Sequence, residues 1–519
     1  MAKSLFVNSR LLIISDNTTT YVSLQGETVA NTTEANLEIP IRKAGSFNNL
    51  YVYVSASSAS NTTTFTLRKS RADTAVTISI AGDTTGIFEN TTNSVTFAAT
   101  DEATYKIVVP TESGSNSITF QIMKVEFTPD ADTVTVLAAT GVSTALTSAS
   151  TVRYHPLGGG LATDINEYDI NHKIGGVFTA SNLYVYVTAN ARTTNTVFVS
   201  SKTGIDGNLI VTYGNVETGV KEDTTNTDSI SSGAVYCLKS TTGTGTQTLT
   251  FWVASATLVS TAGQFLFVSA NASSQNSALT RYASIGGQLI LNATEANTQI
   301  YPRTTFTAKQ LSASSDANTL NGSTVITLRD NGADSSVTIT FGTSETGAKT
   351  DTTNSTIITA ATDEINHGIV TAGSSGTITL NSISLIGEIS TGYTMAAALG
   401  TFNETGNNVN LLYDHKLLGE LGTFVIGGNT VNFNKGIIFV LSNGTFNVIG
   451  IDSGLIATRL VRSNAGVFIL TGNQVVLTPG VVFTPVNGVR FSVENMSSIY
   501  SFSDQLKNVV VSGETLIPK

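Results

Sequence analysis

Four histidines, one cysteine and three pairs of adjacent carboxylates are the groups in this 519-residue sequence with the most obvious capacity for chemistry. Their spacing argues against most of it. His155, His172, His367 and His415 are scattered over three regions, and no two stand at metal-ligand spacing. Cys237 is alone, which rules out an intrachain disulfide and any multi-cysteine metal site. The acidic pairs Asp101-Glu102, Glu222-Asp223 and Asp363-Glu364 lack the alternating, glycine-bearing loop that gathers six to eight oxygens around calcium, so they are expected to be solvated turn residues. The sequence has no G-x-S-x-G elbow, no H-E-x-x-H and no phosphate-cradling loop. Two carboxylates flanking a sugar would leave no motif, so a polysaccharide hydrolase stays open as a third class. The expectation is a protein that is not an enzyme, with no catalytic residue, no cofactor and no metal.

Two other groups could make contacts. In Asn-Leu-Tyr-Val-Tyr-Val, at residues 49–54 and again at 182–187, tyrosine alternates with valine. In a strand this puts Tyr51 and Tyr53, or Tyr184 and Tyr186, on one face and the valines on the other. If the valines fill a core, the tyrosines cover a neighbouring module or subunit, or they stack on a sugar. The second group is a polar loop in which Asn93, Asn226 and Asn354 each close a Thr-Thr-Asn. Turn geometry accounts for it, and an exposed loop kept in three copies is also a candidate interaction surface.

These loops belong to a repeat. A Thr-Gly pair ending at Gly86, Gly219 and Gly347 stands seven residues before each of those asparagines, at successive offsets of 133 and 128 residues. Tyr21, Tyr154 and Tyr282 have the same two offsets, and each is followed by Gly26, Gly159 or Gly287 and by Glu34, Glu167 or Glu295. Two independent anchors with shared offsets mean duplicated domains. The modules run over residues 1–130, 131–259 and 260–388, and residues 389–519 follow without the loop. Within module 1, eight or nine alternating or apolar runs bounded by Gly, Asn, Asp or Ser predict a β-sandwich, with a jelly roll preferred to an immunoglobulin-like arrangement because a double Greek key manages its edges without disulfides. Residues 389–519 carry denser Val, Ile and Phe runs between turn signals, which predicts a divergent C-terminal β domain, either a diverged fourth module or a distinct oligomerisation or docking domain.

Composition agrees with an all-β chain. Hydrophobic residues make up 40% and charged residues only 12%, so Thr, Ser, Asn and Gly must supply the polar surface. The net charge of −10 is spread thinly and no basic run could track a phosphate backbone, so nucleic acid is not an expected partner. No stretch approaches a membrane span, and the N-terminal apolar stretch, broken by Asn8 and Arg10, does not form a signal-peptide core.

Asn49 to Ala56, Phe65 to Lys69, Val76 to Ile80, Thr85-Gly86 and Thr91 to Ser94 together resemble tandem β modules of tailed-bacteriophage virion structural proteins, among head fibres, decorations and tail appendages. The resemblance covers residues 1–388. It implies a virion protein made in the host cytoplasm without a cleaved signal, docked by one end to other virion proteins of capsid, neck or tail. It also implies a homo-oligomer, most simply a trimer. The alternative reading is a carbohydrate-binding adhesin gripping host surface glycans.

Overall fold

Jelly-roll topology follows from how the strands of the first module pair. The computed structural model describes residues 4–389, apart from 27–28, 113–115, 131–132, 160–166, 168–171 and 261, and the strand backbones between 394 and 512. Module 1 has eight principal strands: β1 (Ser4–Ser15), β2 (Thr18–Val22), β3 (Gly45–Ser57), β4 (Thr63–Lys69), β5 (Ala72–Ile80), β6 (Gly86–Phe97), β7 (Glu102–Val109) and β8 (Ser117–Pro129). They form two antiparallel sheets in the orders β1-β8-β3-β6 and β2-β7-β4-β5, the double Greek key of a jelly roll. Modules 2 and 3 repeat both orders, and in module 3 the counterpart of β6 is split into Gly347–Thr350 and Ser355–Ile358. Helix is confined to single 3-10 turns such as Glu34–Asn36 and Glu295–Asn297 among the described residues. None there is long and apolar enough to cross a membrane.

The anchors that define the repeat meet in space. In module 1, Arg68 Nε donates to Glu34 Oε1 at 2.7 Å while its guanidinium lies over the Tyr21 ring, and in module 3 Arg329 does the same with Glu295 and Tyr282. Module 2 has Ser201 at the arginine position, and its hydroxyl donates to Glu167 at 2.6 Å. These residues tie the 3-10 turn to the second sheet, which is why their spacing is kept.

The three modules close into a ring. The N-terminal halves of the first strands of the modules, β1, Thr133–Leu146 and Gln264–Asn276, carry buried apolar residues on both faces, as a strand covered on both sides must. One face turns to its own core through Phe6, Leu137 and Phe267. The other turns to a neighbour: Val136 and Ala138 of module 2 join the core of module 1, Leu266 and Val268 of module 3 that of module 2, and Leu5 and Val7 of module 1 that of module 3. Polar contacts repeat the same cycle. Gln25 accepts the Ala138 N–H at 3.1 Å, and Ser9 donates to the Gly286 carbonyl at 2.7 Å. The repeat alone suggests modules following one another as spacers, whereas the structure makes each module's outer edge a part of another's core.

Glycine makes the approach possible. A Cβ on Gly159 would fall 2.5 Å from Ala270 Cβ, and one on Gly287 would fall 2.7 Å from Ser9 N. Gly159→Ala is therefore expected to lower unfolding stability by about 1–3 kcal/mol through overpacking. Urea midpoints followed by circular dichroism check this, and an unchanged midpoint would mean that the seam has slack.

Residues 390–519 form a second compact unit of a different kind. Every strand pair described in it is parallel, which excludes a fourth jelly roll. Thr401–Leu411, Thr423–Phe433, Thr445–Leu455 and Val467–Thr471 stack in register, so that Phe402, Phe424, Phe446 and Phe468 occupy equivalent positions in successive rungs. Thr394–Ala397, Lys416–Gly419, Ile438–Leu441, Arg459–Ser463 and Val481–Pro485 stack as a second sheet. This is a parallel β-solenoid, in which each turn of chain hydrogen-bonds to the next. The sequence carries its period plainly: Gly400, Gly422, Gly444, Gly466 and Gly488 recur at one fixed interval.

Candidate interaction surfaces: module seams and exposed loops

The alternating tyrosines lie where modules meet. Val52, Val54, Val185 and Val187 are buried in their own modules' cores. Tyr51, 1% exposed, faces module 3, with its ring 6.1 Å from that of Tyr301, and Tyr53 packs half-buried against the same core. Tyr184 is buried beneath the Arg42 guanidinium of module 1 at 5.8 Å, and Tyr186 is half-buried. Burial pushes the phenols of Tyr51 and Tyr184 well above their ordinary range. Tyr51 and Tyr184 are thus committed inside the chain, covering neighbouring modules.

Each seam has its own chemistry. Between modules 1 and 2, Arg42 Nε donates to Glu222 Oε1 at 2.6 Å. Between modules 2 and 3, Ser384 donates to the Lys173 carbonyl at 2.8 Å, and Gly175 and Gly176 lie against Gln310, Gln264 and Ile386. Between modules 3 and 1 lies an ion pair, Lys124 with Glu126, both 0% exposed. Lys124 also donates to the Tyr301 carbonyl at 2.6 Å, and Glu126 accepts the Arg303 N–H at 2.6 Å and the Asn49 amide at 3.0 Å. Arg303 reaches on to Glu89. Burial pulls the Lys124 ammonium below its ordinary value against the opposing pull of Glu126. The sequence did offer a signal for this cluster: Lys124 and Glu126 interrupt the otherwise apolar run Ile122 to Phe127 on one face.

The Thr-Thr-Asn loops are exposed in all three modules. Each is pinned by the residue that precedes it. Asp223 Oδ1 accepts the backbone N–H groups of Thr225 and Asn226, both at 3.1 Å, and Oδ2 accepts that of Ile210 at 2.9 Å. Asp351 repeats this with Thr353, Asn354 and Thr338. In module 1 the residue is Asn90, whose oxygen accepts from Thr92 and Asn93 while its amide donates to the Thr77 carbonyl at 2.8 Å. Burial opposes ionisation of Asp223, but donation from Asn226, Ile210 and Thr225 outweighs it and holds the carboxyl at about 2. The Asn226 and Asn354 amides fold back onto Asp223 and Asp351, while Asn93 is exposed. Asp223→Ala is expected to cost about 1–2 kcal/mol. Faster hydrogen exchange at the Thr225 and Asn226 amides reads it out, and unchanged protection would show that another group holds the loop.

Asp101 and Asp363 do close turns, as expected from the sequence, but the acidic pairs are partnered or buried rather than simply solvated. Glu222 and Asp223 serve the seam and the loop, Asp363 is buried and accepts the Thr359 N–H at 2.6 Å, and burial next to Glu38 raises Glu102. His155, His172 and His367 are buried; His155 and His172 lie along one strand, paired with Leu238 and Tyr236, His367 lies in module 3, and His415 lies outside the described residues. No group of His, Cys, Asp and Glu that could hold a metal occurs among the described residues. Cys237 is buried, and burial beside Glu167 raises its thiol well above the ordinary value. Arg192 is buried too, but its guanidinium is spent on the carbonyls of Leu146, Ser148, Gly243, Gly245 and Gln247, a cap rather than an anion site.

No protein-family model matches the chain, and no curated protein matches it. Among solved structures, one described as "The Triple Jelly Roll Fold and Turret Assembly in an Archaeal Virus" is similar at 11% identity, covering 75% of this chain and 91% of that one with a TM-score of 0.16. The jelly-roll assignment rests on the strand orders above.

Proposed function

We propose that this chain is a structural protein of a tailed-bacteriophage virion, a capsid decoration, head fibre or tail appendage, with no catalytic role. The observation that carries the reading is the closed ring of three jelly rolls. Its polar seam groups and first-strand faces are consumed by contacts within one chain, which suits a rigid body made for assembly rather than for turnover. The resemblance of residues 1–388 to phage virion modules points the same way. Docking or homo-trimerisation is assigned to the solenoid, because the ring already supplies within one chain the cyclic contacts that three separate subunits would make.

Native particles test this. The chain should co-sediment with them at a fixed stoichiometry and appear in their cryo-electron density at a symmetry-related position. A chain absent from washed particles would overturn the reading.

A further inference from the structure

Module 3 has a cleft of about 320 Å³ beside the bulge in its first strand, at the small end of the roughly 300–1,000 Å³ range of ligand pockets. Its exposed lining is mostly polar, with Asn271, Ser273, Ser274, Asn276 and Arg281, and Leu289 to Leu291 complete it. No carboxylate lines it. Arg281 has no ion pair among the described residues, and its one hydrogen bond there goes to the Thr280 carbonyl.

Two features set this place apart from its counterparts in the other modules. Gln275, 2% exposed, lines the cleft at the position where pairing with the last strand places Ile14 in module 1 and Leu146 in module 2. Its amide nitrogen is spent on the Leu279 and Ile369 carbonyls, and its carboxamide oxygen has no donor. A buried amide in place of an aliphatic residue costs stability unless something uses it. The backbone is also unusual, since Asn271 has a φ of 142°. A residue held so far from the favoured regions is a mark of a constrained site.

We propose that this cleft binds one acidic sugar residue, a pyranose bearing a carboxylate. The Arg281 guanidinium takes the carboxylate in a charge-assisted pair, the amides and hydroxyls of Asn271, Ser273 and Asn276 take ring hydroxyls, and the part-exposed Leu291 meets the C–H side of the ring. Gln275 holds the wall from beneath, its amide nitrogen tying down the carbonyl of Leu279, which also lines the cleft. The assignment stands on the cleft alone and does not depend on the chain being part of a particle.

The test is titration of the full-length chain with D-glucuronate, followed by saturation-transfer NMR and calorimetry, with D-glucose and inorganic phosphate as comparators. Saturable D-glucuronate binding is expected, about ten-fold or more tighter than D-glucose, and Arg281→Gln should weaken it about ten-fold. Gln275→Leu, which takes the residue of module 2, should weaken it while leaving the fold intact by circular dichroism. Arg153→Gln, at the position in module 2 that matches Arg281, should change nothing. The proposal fails if D-glucuronate gives no saturable signal, if D-glucose binds equally, or if phosphate competes at equal concentration. It also fails if Arg281→Gln binds like the parent.

Discussion

His367→Leu is expected to make the protein markedly more resistant to acid. His367 is fully buried in module 3, neither ring nitrogen has a hydrogen-bond partner, and burial pushes its pKa down to about 3. His172, also fully buried, is pushed down to about 4. Both values lie below the roughly 6.5 of an unfolded histidine, so below that pH the unfolded chain takes up protons that the folded chain refuses. Stability is therefore full above about pH 6.5 and falls on acidification. The slope is about 1.4 kcal/mol per pH unit for each histidine until its folded pKa is reached. Leucine suits the site because pairing places Leu238 at the same position in module 2, and Tyr105 in module 1. The variant should lose about half of the histidine-dependent slope between pH 6.5 and 4.5. It should also gain about 1 kcal/mol at pH 7 from removing unpartnered buried nitrogens. Urea titrations at pH 7.0, 5.5 and 4.5 measure both, and an unchanged slope would assign the acid sensitivity elsewhere.

Lys124→Met is expected to destabilise the seam between modules 3 and 1 by about 3–5 kcal/mol, because Glu126 then stays buried without its cation. The Arg303 amide, which donates to Glu126, reports the change directly, and its hydrogen exchange should accelerate. The double variant Lys124→Ser/Glu126→Thr takes the residues that pairing places there in module 2, Ser255 and Thr257, and should recover part of the loss by removing both charges. Recovery separates an uncompensated charge from simple loss of packing. A single variant as stable as the parent would show that water reaches this seam.

Much of the fold was legible from the sequence. The Tyr, Glu and Gly anchors that fixed the repeat are those that tie a turn to a sheet or let modules approach, so their spacing carries physical information. The alternation in Asn-Leu-Tyr-Val-Tyr-Val correctly separated core valines from tyrosines on the other face. Ring closure was harder to see. Its signal was the doubly apolar first strand, Leu5-Phe6-Val7 or Phe265-Leu266-Phe267-Val268, and a strand covered on both faces does not say which partner covers it. The solenoid was missed although Gly-Thr-Phe recurs at residues 400–402, 422–424 and 444–446, because dense Val and Ile runs fit an antiparallel sandwich as well as a parallel coil. The cleft could not be read at all. Gln275 and Arg281 acquire meaning only when the bulge and the neighbouring strand are brought beside each other.

The order of the ring also constrains how it is made. Module 1 emerges from the ribosome first, yet the strand face carrying Leu5 and Val7 is covered only by module 3, whose last strand ends at Glu388. At about 5–20 residues per second, some tens of seconds of synthesis separate a folded first module from its cover. During that interval the growing chain carries an apolar edge that matches the open side of a third module on any neighbouring polysome. Premature closure between two chains is the natural error of this architecture. Because each seam has different chemistry, pairings between the wrong modules leave a charge or a glycine notch unmatched, but closure of module 1 on another chain's module 3 makes the native seam and is limited only by the higher effective concentration of the chain's own third module.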